Sequence, residues 1–134
     1  MPNEDVLIMV VDDEPTICRI LERVLTQEGY KVIVAGDGQA GLDMFGKHFP
    51  DLVLLDLMMP GINGREVGRR IRERSATTRI IYLSAKPVPA DSPEEEEINS
   101  EADGFIPKPA TSKEILSTIR SVLTAGSKKP EVHQ

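Results

Sequence analysis

The sequence predicts an α/β domain, a doubly wound parallel sheet with helices on both faces. Short apolar runs rich in β-branched residues alternate five times with longer segments of helical periodicity. The runs are continuous where a half-exposed strand would alternate, which is how strands covered on both faces read. A length of 134 residues matches one ordinary domain and allows about two-thirds of the chain's surface to be buried without staples. Right-handed crossovers then point every strand the same way, so all carboxyl ends meet on one rim.

Val6–Val11 reads as the first strand. Ile17, Ile20, Leu21, Val24 and Leu25 follow at helical spacing, with Pro15 suited to the first turn and Gly29 to the stop. Lys31–Ala35 is the second strand. Asp37-Gly38 opens a weaker helix through Leu42 and Phe45, closed by Pro50. Leu52–Leu55 is the third strand, and Met59-Pro60-Gly61 supplies turn chemistry after it. Glu66–Arg74 is a short helix with Val67 and Ile71 inward. Ile80–Leu83 and Gly104–Ile106 are the last two strands, and Ile115, Leu116, Ile119, Val122 and Leu123 face inward from the final helix. The segment Lys86–Asp103 breaks the pattern with Pro87, Pro89, Pro93 and the run Glu94–Glu97. Ser92-Pro93-Glu94-Glu95 is a good helix start, yet Ile98 is its only large apolar residue, so the fourth helix is expected to be short and weakly anchored. One domain is expected over residues 5–124. Residues 125–134 read as a polar tail or linker, frayed from Ser127.

Composition narrows the function. Hydrophobic residues at 40% and charged residues at 28% are wrong for a disordered chain. The longest apolar run, Val6–Val11, is far short of a membrane span, and the acidic start opposes a signal peptide, so a cytoplasmic protein without membrane contact is expected. Cys18 is the single cysteine, which excludes an internal disulfide and any cysteine-cluster metal site. A net charge of −6 opposes a nucleic-acid surface, and 4% aromatics without Trp offer little for base stacking.

The chemistry lies at the strand ends. Strand one ends in Asp12-Asp13, strand three in Asp56, strand four in Ser84-Ala85 and strand five in Lys108. Sharing one rim, they bring together three carboxylates, one ammonium and one hydroxyl, a charge of 3 − 1 = 2 negative. Like charges this close raise carboxylate pKa values or recruit a cation. Oxygen donors with open positions suit Mg²⁺. With a cation beside it, Asp56 could act as a phosphoryl-accepting nucleophile, Lys108 neutralising phosphoryl oxygens and Ser84 donating one hydrogen bond. Taken singly, each residue has an ordinary explanation: Asp12, Asp13 and Glu14 as caps, Asp56 and Ser84 in turns, Lys108 at the surface. It is their joint occurrence at four strand ends that favours a site.

Val10-Val11-Asp12-Asp13-Glu14, Leu54-Leu55-Asp56-Leu57-Met58-Met59-Pro60-Gly61, Leu83-Ser84-Ala85 and Phe105-Ile106-Pro107-Lys108-Pro109 together resemble the receiver domain of two-component response regulators, over roughly residues 5–124. The resemblance implies a flavodoxin-like strand order 2-1-3-4-5. It implies that Asp56 accepts a phosphoryl group from the phosphohistidine of a sensor histidine kinase or a phosphotransfer protein. It further implies a Mg²⁺ or Mn²⁺ ion held by Asp13 and Asp56, by Asp12 largely through water, and by the backbone carbonyl of Met58. Ser84, the Ala85 backbone and Lys108 would bind the phosphoryl group, with a cis Lys108–Pro109 bond. Ser84 and Phe105 match the pair that reports phosphorylation, Phe105 turning into space beside Ile106, to a protein-binding face over 86–123. Such a chain is no enzyme in its own right, though it assists its own phosphorylation and dephosphorylation, and it works as a monomer or a phosphorylation-dependent dimer.

Four features depart from the common pattern: Phe105 for a tyrosine, Pro107 inside strand five, apolar Met58 where attacking water must pass, and the Pro- and Glu-rich Lys86–Asp103. Pro107 is tolerable at a sheet edge, where this order puts strand five. Competing readings are a receiver excised from a larger hybrid kinase or regulator, a non-phosphorylated interaction module, a flavin carrier and an aspartyl phosphatase. Asp12-Asp13-Glu14 repels a flavin phosphate, and the phosphatase needs an Asp where Met58 stands. Arg65, Arg69, Arg70, Arg72 and Arg74 read as a solvated helix face, Cys18 as a packing residue, and His48 and His133 as surface.

Overall fold

A computed structural model of the chain describes residues 3–85 and 92–125. Five strands, β1 (Leu7–Val11), β2 (Lys31–Ala35), β3 (Leu52–Asp56), β4 (Arg79–Ser84) and β5 (Gly104–Pro107), alternate with α1 (Pro15–Gln27), α2 (Gly38–His48), α3 (Gly64–Arg74), α4 (Pro93–Glu101) and α5 (Ser112–Ala125). A single turn of 3-10 helix, Asn3–Asp5, precedes β1. All strand pairs are parallel, in the order β2-β1-β3-β4-β5.

The expected elements form, and their boundaries have local causes. Pro15 occupies the first turn of α1, and Gly29 takes φ 98° just past its end. Asp37 caps α2 by accepting the Ala40 amide at 2.8 Å, and Asn63 caps α3 by accepting the Glu66 amide at 3.0 Å. Pro107 sits on the edge strand β5, where its missing N–H removes no ladder bond inside the sheet.

Strand alternation divides the core in two. Ile8, Val10, Leu52, Leu54, Ile81 and Leu83 point to one face and pack with Leu21 and Leu25 of α1 and Ile115 and Ile119 of α5. Met9, Val11, Val53, Leu55, Ile80 and Tyr82 point to the other face, with Phe45 of α2, Ile71 of α3 and Ile98 of α4. Full burial of each such side chain stabilises by about 1.5–3 kcal/mol before entropy is counted. The apolar face of α1 is turned slightly from the predicted one: Cys18 is buried and Ile20 is 51% exposed. Burial first, then the charges of Asp12 and Asp13, pushes the Cys18 thiol up, which fits a packing residue. α4 is short as expected, and buried Ile98 is its anchor. His48 is exposed, while His133, Lys86–Asp91 and the tail beyond Ala125 fall outside the described residues.

The arginine set is not uniformly solvated, a correction to the sequence reading. Arg69 and Arg70 pair with Glu66 on the exposed side of α3, but Arg72 turns inward. Its guanidinium donates to the carbonyls of Glu101 (2.8 Å), Thr78 (2.8 Å), Ala76 (3.0 Å) and Ser75 (3.3 Å), and to the Asp103 carboxylate at 3.1 Å. Asp103 Oδ2 also accepts the Ile80 amide at 2.9 Å. One side chain thus ties the end of α3 to the start of β4 and the end of α4. The Asp103 side chain is only 2% exposed, so losing Arg72 takes a hydrogen-bonded cation from a buried carboxylate and leaves the backbone carbonyls it gathers without their donor. Arg72→Ala should cost about 3 kcal/mol in urea unfolding. Arg69→Ala and Arg70→Ala should stay within about 0.5 kcal/mol of the parent. Equal small effects for all three would contradict the buried-clamp reading.

Candidate functional site

Strand register builds the site. Val11 lies opposite Leu55, so the next residues, Asp12 and Asp56, emerge side by side from adjacent strands. Asp56 lies opposite Leu83, which puts Ser84 one step beyond it, and Ser84 lies opposite Pro107, which brings Lys108 just past the edge strand. The Lys108 amide donates to the Ser84 carbonyl at 2.8 Å, and the Lys108–Pro109 bond is cis.

The carboxylates are held before any ligand arrives. Asp12 is fully buried: Oδ1 accepts the Glu14 amide at 3.0 Å and Oδ2 accepts Lys108 Nζ at 3.0 Å. Its carbonyl accepts the Cys18 thiol at 3.3 Å. Asp56 is 4% exposed, with Oδ1 accepting the Met58 amide at 3.1 Å and Oδ2 lying 3.6 Å from Lys108 Nζ. Asp13 is exposed, yet one carboxylate oxygen from each of Asp12, Asp13 and Asp56 lies within 4.8 Å of the others. A local turn bond to the Glu14 amide therefore explains part of Asp12, no side chain caps α1, and Asp13 faces solvent.

Burial pushes the Asp56 carboxyl up, and the negative charges of Asp12 and Asp13 add to it. The Met58 amide and Lys108 pull the other way without prevailing. For Lys108 burial acts downward, but the hydrogen bond to Asp12 and the charges of Asp12, Asp56 and Glu14 outweigh it, so the ammonium is held above its ordinary range. Three hard oxygen donors around an unbalanced negative charge, one of them exposed enough to leave room for water, fit Mg²⁺.

Ser84 is buried at the end of β4 and Ala85 is exposed beside it. Ala85, Lys108 and Pro109 line an apolar cavity of about 490 Å³ with Ile17, Ile20 and Leu21 of α1. Met58 is 52% exposed at the mouth of the site. Phe105, the expected switch residue, is half-buried on β5. Its side chain and that of Ile106 point to opposite faces: Ile106 packs toward α1 and α5, Phe105 toward Tyr82, Ile98 and Ala102.

Two contributors escaped the sequence reading. A Cβ on Gly64 would overlap the Asp56 carbonyl oxygen, so glycine there lets α3 press against the end of β3. Tyr82, opposite Phe105 in the sheet, donates its phenol to Glu101 of α4 at 3.0 Å. Burial first and the Glu101 charge second hold that phenol protonated. The signal for Gly64 was its place directly after the capping Asn63; Tyr82 lies inside an apolar run and carried none.

The family model described as response regulator receiver domain matches residues 8–120. Response regulator ArlR of Staphylococcus aureus is 42% identical over 116 residues, which are 87% of this chain and 52% of that protein. The chain thus spans about half the length of the curated relatives it matches. Chemotaxis protein CheY4 of Vibrio cholerae superposes with a TM-score of 0.81 at 28% identity, covering 87% of this chain and 98% of that one. Response regulator protein TrrA of Thermotoga maritima, solved in complex with Mg(2+)-BeF, gives a TM-score of 0.77 at 33% identity, covering 87% and 98%.

A raised folded-state pKa on an acid means that ionised Asp56 opposes folding. That penalty is complete above the folded pKa and vanishes as pH falls below the unfolded value of about 3.9. In buffer free of divalent ions, Asp56→Asn should therefore be more stable than the parent at pH 7, with the gap closing on acidification. Urea midpoints across pH measure this. A gap that is missing at pH 7, or that widens in acid, would contradict the assigned electrostatics.

Proposed function

The chain belongs to the receiver-domain family of response regulators, and on that premise we propose that Asp56 accepts a phosphoryl group from the phosphohistidine of a sensor histidine kinase or histidine phosphotransfer protein. The observation that carries this reading is the pairing of a buried, upward-shifted Asp56 with Lys108 at 3.6 Å and two further carboxylates within 4.8 Å. A structural aspartate would have no reason to be kept in such company.

In the transfer, a bond forms between an Asp56 oxygen and phosphorus while the bond from phosphorus to the donor imidazole nitrogen breaks, its electron pair returning to the ring. The Met58 amide fixes the Asp56 carboxylate by its Oδ1 atom, and Asp12 aims Lys108 through the 3.0 Å contact. Both are positioned in advance, so little reorganisation is needed as charge shifts onto the phosphoryl oxygens. Asp13, Asp56, the Met58 carbonyl and, through water, Asp12 would hold Mg²⁺, whose charge offsets that of the phosphoryl group when bound. Ser84 and the Ala85 backbone complete the cradle. The exposed Met58 side chain shields the phosphoryl group from water and slows its loss.

The donor's helices would dock over α1 and the connection from β5 to α5, where exposed Ile20 borders the apolar cavity. Output would leave through α4, β5 and α5. Ser84 drawn toward the phosphoryl group shifts the end of β4. Tyr82, two residues earlier, passes the shift to α4 by its bond to Glu101, with Phe105 packed beside it. A rotation of Phe105 on phosphorylation would act on the same face of α4 and β5.

Acetyl phosphate with Mg²⁺ should add one base-labile phosphoryl group, seen by intact mass. Asp56→Asn should add none, and Asp13→Ala should lose Mg²⁺ affinity by roughly tenfold or more. Equal labelling of Asp56→Asn would overturn the acceptor, and unchanged Mg²⁺ affinity in Asp13→Ala would overturn the metal assignment.

A further inference from the structure

The rim opposite Asp56, at the amino ends of β3 and β4, gathers chemistry that phosphotransfer does not use. A cavity of about 220 Å³ opens there between the carboxyl ends of α2 and α3, lined by Phe49, Arg74, Ser75, Thr77 and Arg79 among others. Phe49 is 71% exposed, and its φ of 48° lies in the left-handed region that a residue with a Cβ avoids. A helix end of this kind ordinarily takes glycine. Phe45 meets the ring edge-on at 6.1 Å, and most of the ring remains open.

The cations are equally unspent. Arg79 Nε is buried and has no hydrogen-bond partner among the described residues. Arg74 is exposed in the last turn of α3. Ser75 Oγ, Thr77 Oγ1 and Thr78 Oγ1 form a hydroxyl chain with contacts of 3.5 and 2.7 Å. Asp51 also lines the cavity, and its Oδ2 accepts the Leu7 amide at 2.8 Å. Two guanidinium groups against one carboxylate leave the cavity at 2 − 1 = 1 positive on a chain of net charge −6.

We propose that this cavity binds the phosphate of a small aromatic phosphate ester of the nucleoside monophosphate type, with its ring stacked on Phe49. The volume decides the arrangement. Pockets that enclose a whole drug-sized ligand measure about 300–1,000 Å³, so only the anionic group enters and the ring stays at the mouth. Guanidinium forks match phosphate oxygens, and an open aromatic face accepts a base without reading its edges. The cavity is about 16 Å from Asp56 along β3, so both sites can be filled at once.

The test is a titration of the ¹⁵N-labelled chain, in buffer free of divalent ions, with AMP, adenosine and inorganic phosphate, read by amide shifts. AMP should move resonances of 45–51 and 74–79 and leave 12–14 and 56–58 in place. Inorganic phosphate should bind more weakly and move 74–79 alone. Phe49→Gly, whose backbone glycine relaxes, should weaken AMP roughly tenfold and leave phosphate binding intact. Arg74→Ala should weaken both. The inference fails if AMP moves neither segment at millimolar concentration, if Phe49→Gly binds AMP as the parent does, or if adenosine binds as tightly as AMP.

Discussion

Asp12 and Asp56 leave water on folding and share the ammonium of Lys108, at 3.0 and 3.6 Å. A third carboxylate, Asp13, stands within 4.8 Å of both. The remaining structure serves this imbalance. Parallel strands all end on one rim, and their register sets Asp12 beside Asp56 and Lys108 beyond Ser84. A slip of one residue in any pair would turn each site residue to the opposite face and exchange the side chains that fill the two cores. The two apolar faces fix the register, and the register fixes the charges.

The same arrangement supports the proposed binding of a cation together with a phosphoryl group. Without them the carboxylates repel, and Asp56 is held above its ordinary range by burial and by Asp12 and Asp13. A divalent ion would bring the site's 2 negative charges to zero, and ion and lysine together would offset the charge of an incoming phosphoryl group. On the proposed reading, tension that burdens the resting fold would become affinity for the ligands of the phosphotransfer state. Backbone amides of Glu14 and Met58 limit the burden by bonding one oxygen of each buried carboxylate.

Much of this was legible in the sequence because the relevant signals are local. Val6–Val11 and Leu52–Leu55 read as strands covered on both faces, and Asp12-Asp13, Asp56, Ser84 and Lys108 each directly follow such a run or its turn. Arg72 was misread because its acceptors lie on the loop after α3 and at the end of α4, 29 residues away in the case of Glu101. Helical spacing shows which way a side chain leaves the helix and says nothing of what arrives there. Phe49 drew no attention because neither its exposure nor its left-handed backbone has a sequence mark when the residue is not glycine.

The account rests on Asp56 being ionised against its environment and relieved by a cation. The ¹³C resonance of its carboxyl carbon, followed through acid titration with and without Mg²⁺, reads this directly. The account predicts a midpoint above the usual carboxylate range in divalent-free buffer, moving down when Mg²⁺ is added. An ordinary midpoint that Mg²⁺ leaves unchanged would contradict it.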